Sequence, residues 1–270
     1  GKAWGFIRTN TPYRDYHLVF EYKWGDHTFG YGADRARGGG LFLHADGKDD
    51  SYGSTWPNTI IVKVREGGTG DILATAYTDK EGVKAPTQIT AKVRPNSDGK
   101  PVWSPDGQAT VLPPVDRAVS RVGWKDRDPN FTNFRGFRGE KDIENSVGEW
   151  NRLEVVCRGD TILVLLNGSL VNECTDTHPS EGFIGLQSQC AELWVRRWEL
   201  WPLDQYTETW EPVVASTNTG ISETGESILP RRFPLSPEQS QAAWQIDGDY
   251  EIELVASEPI VRDPVDVVWD

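Results

Sequence analysis

Methionine is absent from this 270-residue chain, even at position 1. That absence is expected of a piece of a longer precursor whose export signal lies outside it, because no signal-peptide pattern opens the chain. The expected compartment is therefore periplasmic or extracellular. No apolar run approaches membrane-spanning length, so no membrane-spanning segment is expected. Basic residues are in deficit, with 28 Lys and Arg against 41 Asp and Glu and a net charge of -13. Nucleic acid and anionic membranes both call for a basic surface, so neither is an expected partner. Cysteine is scarce: Cys157, Cys174 and Cys190 cannot all pair, and their spacing fits no zinc pattern. They read as buried small residues in adjacent strands, with a Cys157 to Cys174 disulfide left open for an oxidising compartment. No E-x-D-x-x-E strand is found either, so no visible motif supports paired carboxylates acting as nucleophile and acid on a glycoside.

What is plentiful points to β-structure. There are 27 Gly and 17 Pro, which suit many short strands joined by turns, in a chain long enough for one large sandwich or two smaller domains. Residues 148–172 hold three runs rich in β-branched and aliphatic residues, separated by Arg158-Gly159-Asp160 and by Asn167-Gly168. Asn-Gly favours the positive φ angles of a two-residue hairpin, so three antiparallel strands follow. Gly182 to Gln187 and Glu192 to Leu200 are expected to extend this meander by two more. Twelve Trp is a high share. Most Trp in a sandwich fill the core, but aromatic faces also stack on sugar rings, so a carbohydrate ligand gains weight.

Along the chain, strands are expected around Gly5 to Ile7 and Tyr16 to Tyr22, then a Gly-rich loop from Gly25 to Gly38. In the strand Gly39 to Ala45, period-two geometry sends Leu41, Leu43 and Ala45 to the core and Gly40, Phe42 and His44 to the opposite face. In the strand that follows Thr55-Trp56-Pro57-Asn58, Ile60, Val62 and Val64 point inward, while Ile61, Lys63 and Arg65 share the other face. These two outward faces together read as the floor of a groove with an electropositive patch. Residues 78–147 are the least legible. Arg135 and Arg138, in the segment Asn133 to Glu144, are candidate groove residues, with exposed loop arginines as the alternative. Residues 204–235 are polar and rich in Pro, Thr and Ser, and read as a linker. Ser236-Pro237-Glu238 is a helix-start signature, and Asp249 to Ser257 and Val265 to Trp269 look like strands.

The order G-E-W-N, R-G-D-T, L-N-G, I-G-L-Q-S and R-R-W-E-L-W-P-L, together with W-P-N and E-G-G-T-G-D, resembles the 3-keto-disaccharide hydrolase domain family of bacterial carbohydrate degradation. The resemblance implies an all-β fold, a concanavalin A-like jelly-roll β-sandwich of two antiparallel sheets over residues 1–203. An extended linker, 204–235, and a short C-terminal segment, 236–270, would follow. The segment Leu254 to Pro259 resembles the opening of a sugar-dehydrogenase-like β-propeller, which implies a covalently linked downstream domain. The activity implied is cleavage of a 3-keto glycoside: the ketone acidifies the C2 proton, a base removes it, and the aglycone leaves C1 before water adds. On that basis His44 is the candidate base or metal ligand, Lys63 and Arg65 the enolate-stabilising pair, and Phe42 and Trp56 the sugar platforms. Glu66 and Asp71 are a candidate ligand pair or simply hold the Gly-rich turn. A divalent metal at His44 with an acidic partner such as Asp46 stays open. The chain departs from the family pattern at Ile61, Lys63, Gln189 and Cys190, where relatives usually carry Glu, Gln, Glu and Gly. The alternative is accordingly a non-catalytic carbohydrate-binding module of a larger sugar-oxidising protein.

Overall fold

A computed structural model of the protein describes residues 6–46, 57–75, 77–78, 84–85, 87–112 and 119–210. Among these the chain runs through β1 (Ile7–Arg8), β2 (Tyr16–Thr28), β3 (Gly38–Asp46), β4 (Asn58–Arg65), β5 (Ile72–Thr75), β6 (Tyr77–Thr78), β7 (Lys84–Ala85) and β8 (Gln88–Pro95). It continues through β9 (Pro101–Trp103), β10 (Gln108–Leu112), β11 (Val119–Val122), β12 (Asn151–Arg158), β13 (Thr161–Leu166), β14 (Ser169–His178), β15 (Phe183–Gln189) and β16 (Ala191–Pro202). One antiparallel sheet has the order β1-β15-β3-β4-β5-β11; the other runs β10-β8-β14-β13-β12-β2-β16, with β9 on β8. No helix among the described residues is long and apolar enough to cross a membrane.

Alternation decides how the sheets meet. Leu18, Phe20, Tyr22 and Trp24 of β2 face Leu41 and Leu43 of β3 and Ile60, Val62 and Val64 of β4, all fully buried in one cluster. Removing a side chain of this size from water contributes about 1.5–3 kcal/mol, so this shared core holds the two layers face to face. The Asn167-Gly168 turn has φ of 49° and 78°, as the hairpin between β13 and β14 requires. The molecule is all-β, a concanavalin A-like jelly-roll sandwich.

Two expectations need correction. First, the five-strand meander stops at three. β15 crosses to pair with β1 and β3, and β16 returns to pair with β2 along ten positions. A strand with one apolar face suits either layer, so alternation alone does not choose its neighbours. Second, all three cysteines are free. Cys157 and Cys174 both flank Ile162 of the intervening β13, which separates them by two strand spacings, about 9.6 Å, beyond disulfide reach. Of the two courses open to the expected linker, wrapping the sandwich or leaving it, residues 204–210 take the first. Glu208 pairs with Arg197 at 2.7 Å, and the Tyr206 ring packs edge-on against His17 at 4.6 Å, so this segment is fastened to the outer side of the larger sheet. The helix and strands expected beyond residue 235 lie outside the described residues.

Candidate functional site

The site is set by rungs across the smaller sheet. Register places Gly38 opposite both Arg65 and Gln189, and Gly40 opposite both Lys63 and Gln187. The Lys63 amide donates to the Asp71 carbonyl, so that second rung continues toward β5. Because Ile60, Val62 and Val64 fill the core, Lys63 and Arg65 stand on the outer face. A methyl group at Gly40 would collide with Ile61 Cγ2 at 2.8 Å and lie in ordinary contact, 3.7 Å, with the Lys63 amine; one at Gly38 would lie 3.7 Å from Arg65 Nη2 and 3.4 Å from Gln189 Oε1.

Lys63 is 5% exposed, and among the described residues its amine has no hydrogen bond or ion pair. Burial, reinforced by the positive charges of Arg65 and Arg121 and opposed by Asp71, pushes its pKa down to about 7. A neutral amine is therefore well populated near neutrality. Arg65 is lowered to about 10, again mainly by burial, and its Nε is buried without a partner. Its one side-chain bond is a long one of 3.5 Å to Asn133 Oδ1.

Two adjoining hollows open next to Arg65, one rung along from Lys63, which lines neither. The smaller, about 70 Å³, is lined by Tyr31, Gly32, Arg35, Ala36, Gly38, Arg65, Asn133 and Gln189. The larger, about 600 Å³, shares Tyr31, Arg35 and Asn133 and adds Gly30, Ala33, Asp34 and Phe134. Tyr31 and Phe134 are exposed aromatics on its wall. A polar floor with two aromatic faces is suited to a sugar ring, whose hydroxyls need hydrogen bonds and whose C–H faces need stacking.

The structure disperses several expected site residues. His44 does not share the Lys63 face. β3 carries a bulge between Leu43 and Asp46, His44 has φ of 51°, and its ring turns inward to meet Tyr16 edge-on at 5.8 Å. An extra residue in one strand puts two neighbouring side chains on the same side, which breaks the alternation that sent His44 outward. Its Nδ1 lies 3.2 Å from the Pro179 carbonyl, its Nε2 has no partner, and burial lowers its pKa to about 4. Asp46 is exposed at the strand end, so the two do not form a metal pair, and among the described residues no three His, Cys, Asp or Glu side chains gather as a metal site.

Phe42 does lie on the outer face but is covered, packing on Phe6 at 5.2 Å, so it is not an open platform. Trp56 lies outside the described residues. Glu66 and Asp71 are fully buried and hold structure together. Glu66 pairs with Arg37 at 3.0 Å and accepts from the Gly136 amide; Asp71 accepts from the Trp124 amide at 2.9 Å and pairs with Arg121 and Arg127. Arg138 is tied to Asp142 at 2.7 Å and to the Asn145 carbonyl, away from the hollows. Arg135 is exposed and donates to Thr28 Oγ1 at 3.2 Å. Arg35, Tyr31, Asn133 and Phe134 were missed as site residues because they sit on loops with no periodicity to orient them.

The cationic outer face and its aromatic-walled hollows, on a jelly roll of this topology, define a carbohydrate-related domain. Residues 1–200 match the family model described as the 3-keto-alpha-glucoside-1,2-lyase-like domain, and the chain belongs to that family. Among solved structures, a glycosyl hydrolase-like protein from Parabacteroides distasonis ATCC 8503 is similar, with 18% identity over 75% of this chain and 85% of that one and a TM-score of 0.40. The carbohydrate-binding module CBM66 from Bacillus subtilis is similar at 16% identity, over 74% of this chain and 84% of that one, also with a TM-score of 0.40. No curated protein matches the chain.

Proposed function

We propose that the outer face of the smaller sheet binds a 3-keto glycoside and splits it by elimination and hydration, with Lys63 as the base. The neutral Lys63 amine takes the C2 proton, and the electron pair of that C–H bond moves into an enolate on the C3 oxygen. The ammonium so formed stands beside the developing negative charge, a favourable pairing in a site shielded from water. As the enolate collapses, the C1–O bond breaks and the aglycone oxygen takes the proton from Lys63. That transfer returns the amine to its neutral form, and water then adds across C1 and C2, its hydroxyl to C1 and its proton to C2, giving the free 3-keto sugar. Tyr31 and Phe134 flank the ring, while Asn133, Gln189 and Arg65 meet its oxygens. His44, buried against Tyr16, has no part in this scheme. The observation that carries the reading is the partnerless Lys63 amine, buried above Gly40 with its pKa near 7.

The test is incubation with a 3-keto-glucoside and with 3-keto-trehalose, with and without divalent metal, following release of the aglycone. Turnover is expected, and loss of turnover in a folded Lys63→Ala variant. The second reading, a non-catalytic carbohydrate-binding module, is favoured by Ile61 and Gln189, neither of which can act as a carboxylate. Sugar binding without any product would leave that reading standing. Since a C3 ketone arises by oxidation of a hydroxyl, a covalently linked sugar-oxidising domain downstream fits either reading.

A further inference from the structure

The outer-face cations are not balanced. Asp71 is shared by Arg121 and Arg127 and forms no other ion pair among the described residues. Among the described residues neither Arg35 nor Arg65 has a carboxylate within ion-pair distance; the Arg65 guanidinium has only its long bond to Asn133, and the Arg35 guanidinium only its stacking on Tyr31 at 5.3 Å. Both line the smaller hollow, whose other polar groups come from Tyr31, Asn133 and Gln189 and which contains no acidic side chain; Asp34 lies only in the adjoining larger one. A half-buried guanidinium with a partnerless Nε leaves desolvation uncompensated until an anion arrives. The adjoining larger hollow opens beside it, so a group seated between the two arginines has room for the rest of its molecule.

We infer that the sugar this site prefers carries a permanent anionic substituent, a carboxylate or a sulfate, seated in the smaller hollow between Arg65 and Arg35. This deepens the proposed function and rests on its placing a sugar in these hollows. The transient enolate does not account for the pair. Lys63 already meets that charge, and Arg65 is two residues, about 6.6 Å, further along the strand. Planar guanidinium forks also match a carboxylate in two-point fashion better than a single enolate oxygen.

The test is calorimetric titration of the whole 270-residue chain with methyl glucuronide, the 6-sulfate of methyl glucoside, methyl glucoside and acetate. At least one charged sugar is expected to bind about tenfold or more tightly than the glucoside, the fold-change that a charge-assisted hydrogen bond supplies. Which of the two wins identifies the group. The advantage is expected to shrink with added salt and to fall toward parity in Arg65→Gln, with Arg35→Gln, at an exposed position, as the variant that keeps the test alive if the first unfolds. Equal binding of charged and neutral sugars, an unchanged ratio in both variants, or acetate binding as tightly as the glucuronide would each overturn the inference while leaving the proposed function intact. Failure of every sugar here, with turnover of the 3-keto-glucoside retained, would overturn the inference alone, whereas failure of both experiments would remove the proposed function and the inference together.

Discussion

At the scale of single residues, Lys63 is the group whose chemistry is set by where it sits. Its pKa falls from 10.5 to about 7, so below pH 7 the folded protein holds a buried, partnerless ammonium. The sign follows from proton counting. Between pH 7 and 10.5 the unfolded chain binds the proton and the folded one does not, so stability rises with pH through that window. Lys63→Met is expected to raise the melting temperature below pH 7, with the gain over wild type shrinking as pH climbs toward 10.5; thermal melts across that range check it. If the amine is the base, the kcat/KM of wild type is expected to increase with pH along a limb centred near 7, and a flat profile there would remove Lys63 from proton transfer. His44 behaves in the opposite region. Its pKa drops from 6.5 to about 4, so the neutral ring favours the folded state above 6.5 and that contribution is lost as pH falls toward 4. A His44→Asn variant, which tolerates positive φ, is expected to lose less stability than wild type over that interval in parallel acid melts.

At the scale of elements, two features fix the site and neither is local in sequence. The bulge in β3 removes His44 from the outer face, while the Gly-rich turn after β4 is pinned from below by Glu144. That carboxylate accepts from Tyr22 Oη at 2.6 Å, Trp24 Nε1 at 2.8 Å and the Gly67 amide at 3.2 Å, and burial pushes its pKa up to about 7 against those bonds. Glu144→Ala leaves the Trp24 indole N–H and the Gly67 amide without their acceptor, while the Tyr22 hydroxyl keeps Thr69 Oγ1 at 3.2 Å, and is expected to cost roughly 2–5 kcal/mol, measurable by urea unfolding. Strand order also governs the thiols. Cys157 and Cys174 are buried and their pKa values are driven up by burial, while Cys190 is half-exposed. A thiol reagent is expected to titrate Cys190 in the native protein and all three cysteines only after unfolding, with identical mobility under reducing and non-reducing electrophoresis. These features explain what could be read from the chain in advance. Ile60, Val62 and Val64 alternate cleanly and were legible as core, and Lys63 and Arg65 were legible as outward. His44 was not, because an inserted residue resets the alternation only once the strand has a partner. Glu66 and Asp71 were visible as a motif, but their roles depend on Arg37, Trp124 and Arg127, which lie tens of residues away.

At the scale of the whole molecule, a chain of net charge -13 gathers Lys63, Arg65, Arg35, Arg121 and Arg127 on and beside one outer sheet face. The acidic remainder disfavours extended polyanions, yet a small anion inside the hollow interacts mainly with the nearby cations, because charges separated by more than about 10 Å are largely screened. The far side of the sandwich is closed by a different charge network: Glu21 is paired with Arg152 at 2.7 Å, and Glu208 joins Arg197 and Arg152 from the segment after β16. A fragment ending at residue 210 is therefore expected to melt several degrees above one ending at residue 203, as calorimetry of the two would reveal. Composition, alternation and turn residues were enough by themselves to determine an all-β chain, most of its strands and the face on which Lys63 lies, because each of these depends on neighbours a few positions apart. The assignment of β15 to the smaller sheet, the inward turn of His44, the acidic anchors of the Gly-rich turn and the two arginines left without a carboxylate were decided only by tertiary structure. Each depends on which distant strand or loop supplies the hydrogen-bond partner, the counter-charge or the cover, and that is a property of the packed molecule rather than of any stretch of it.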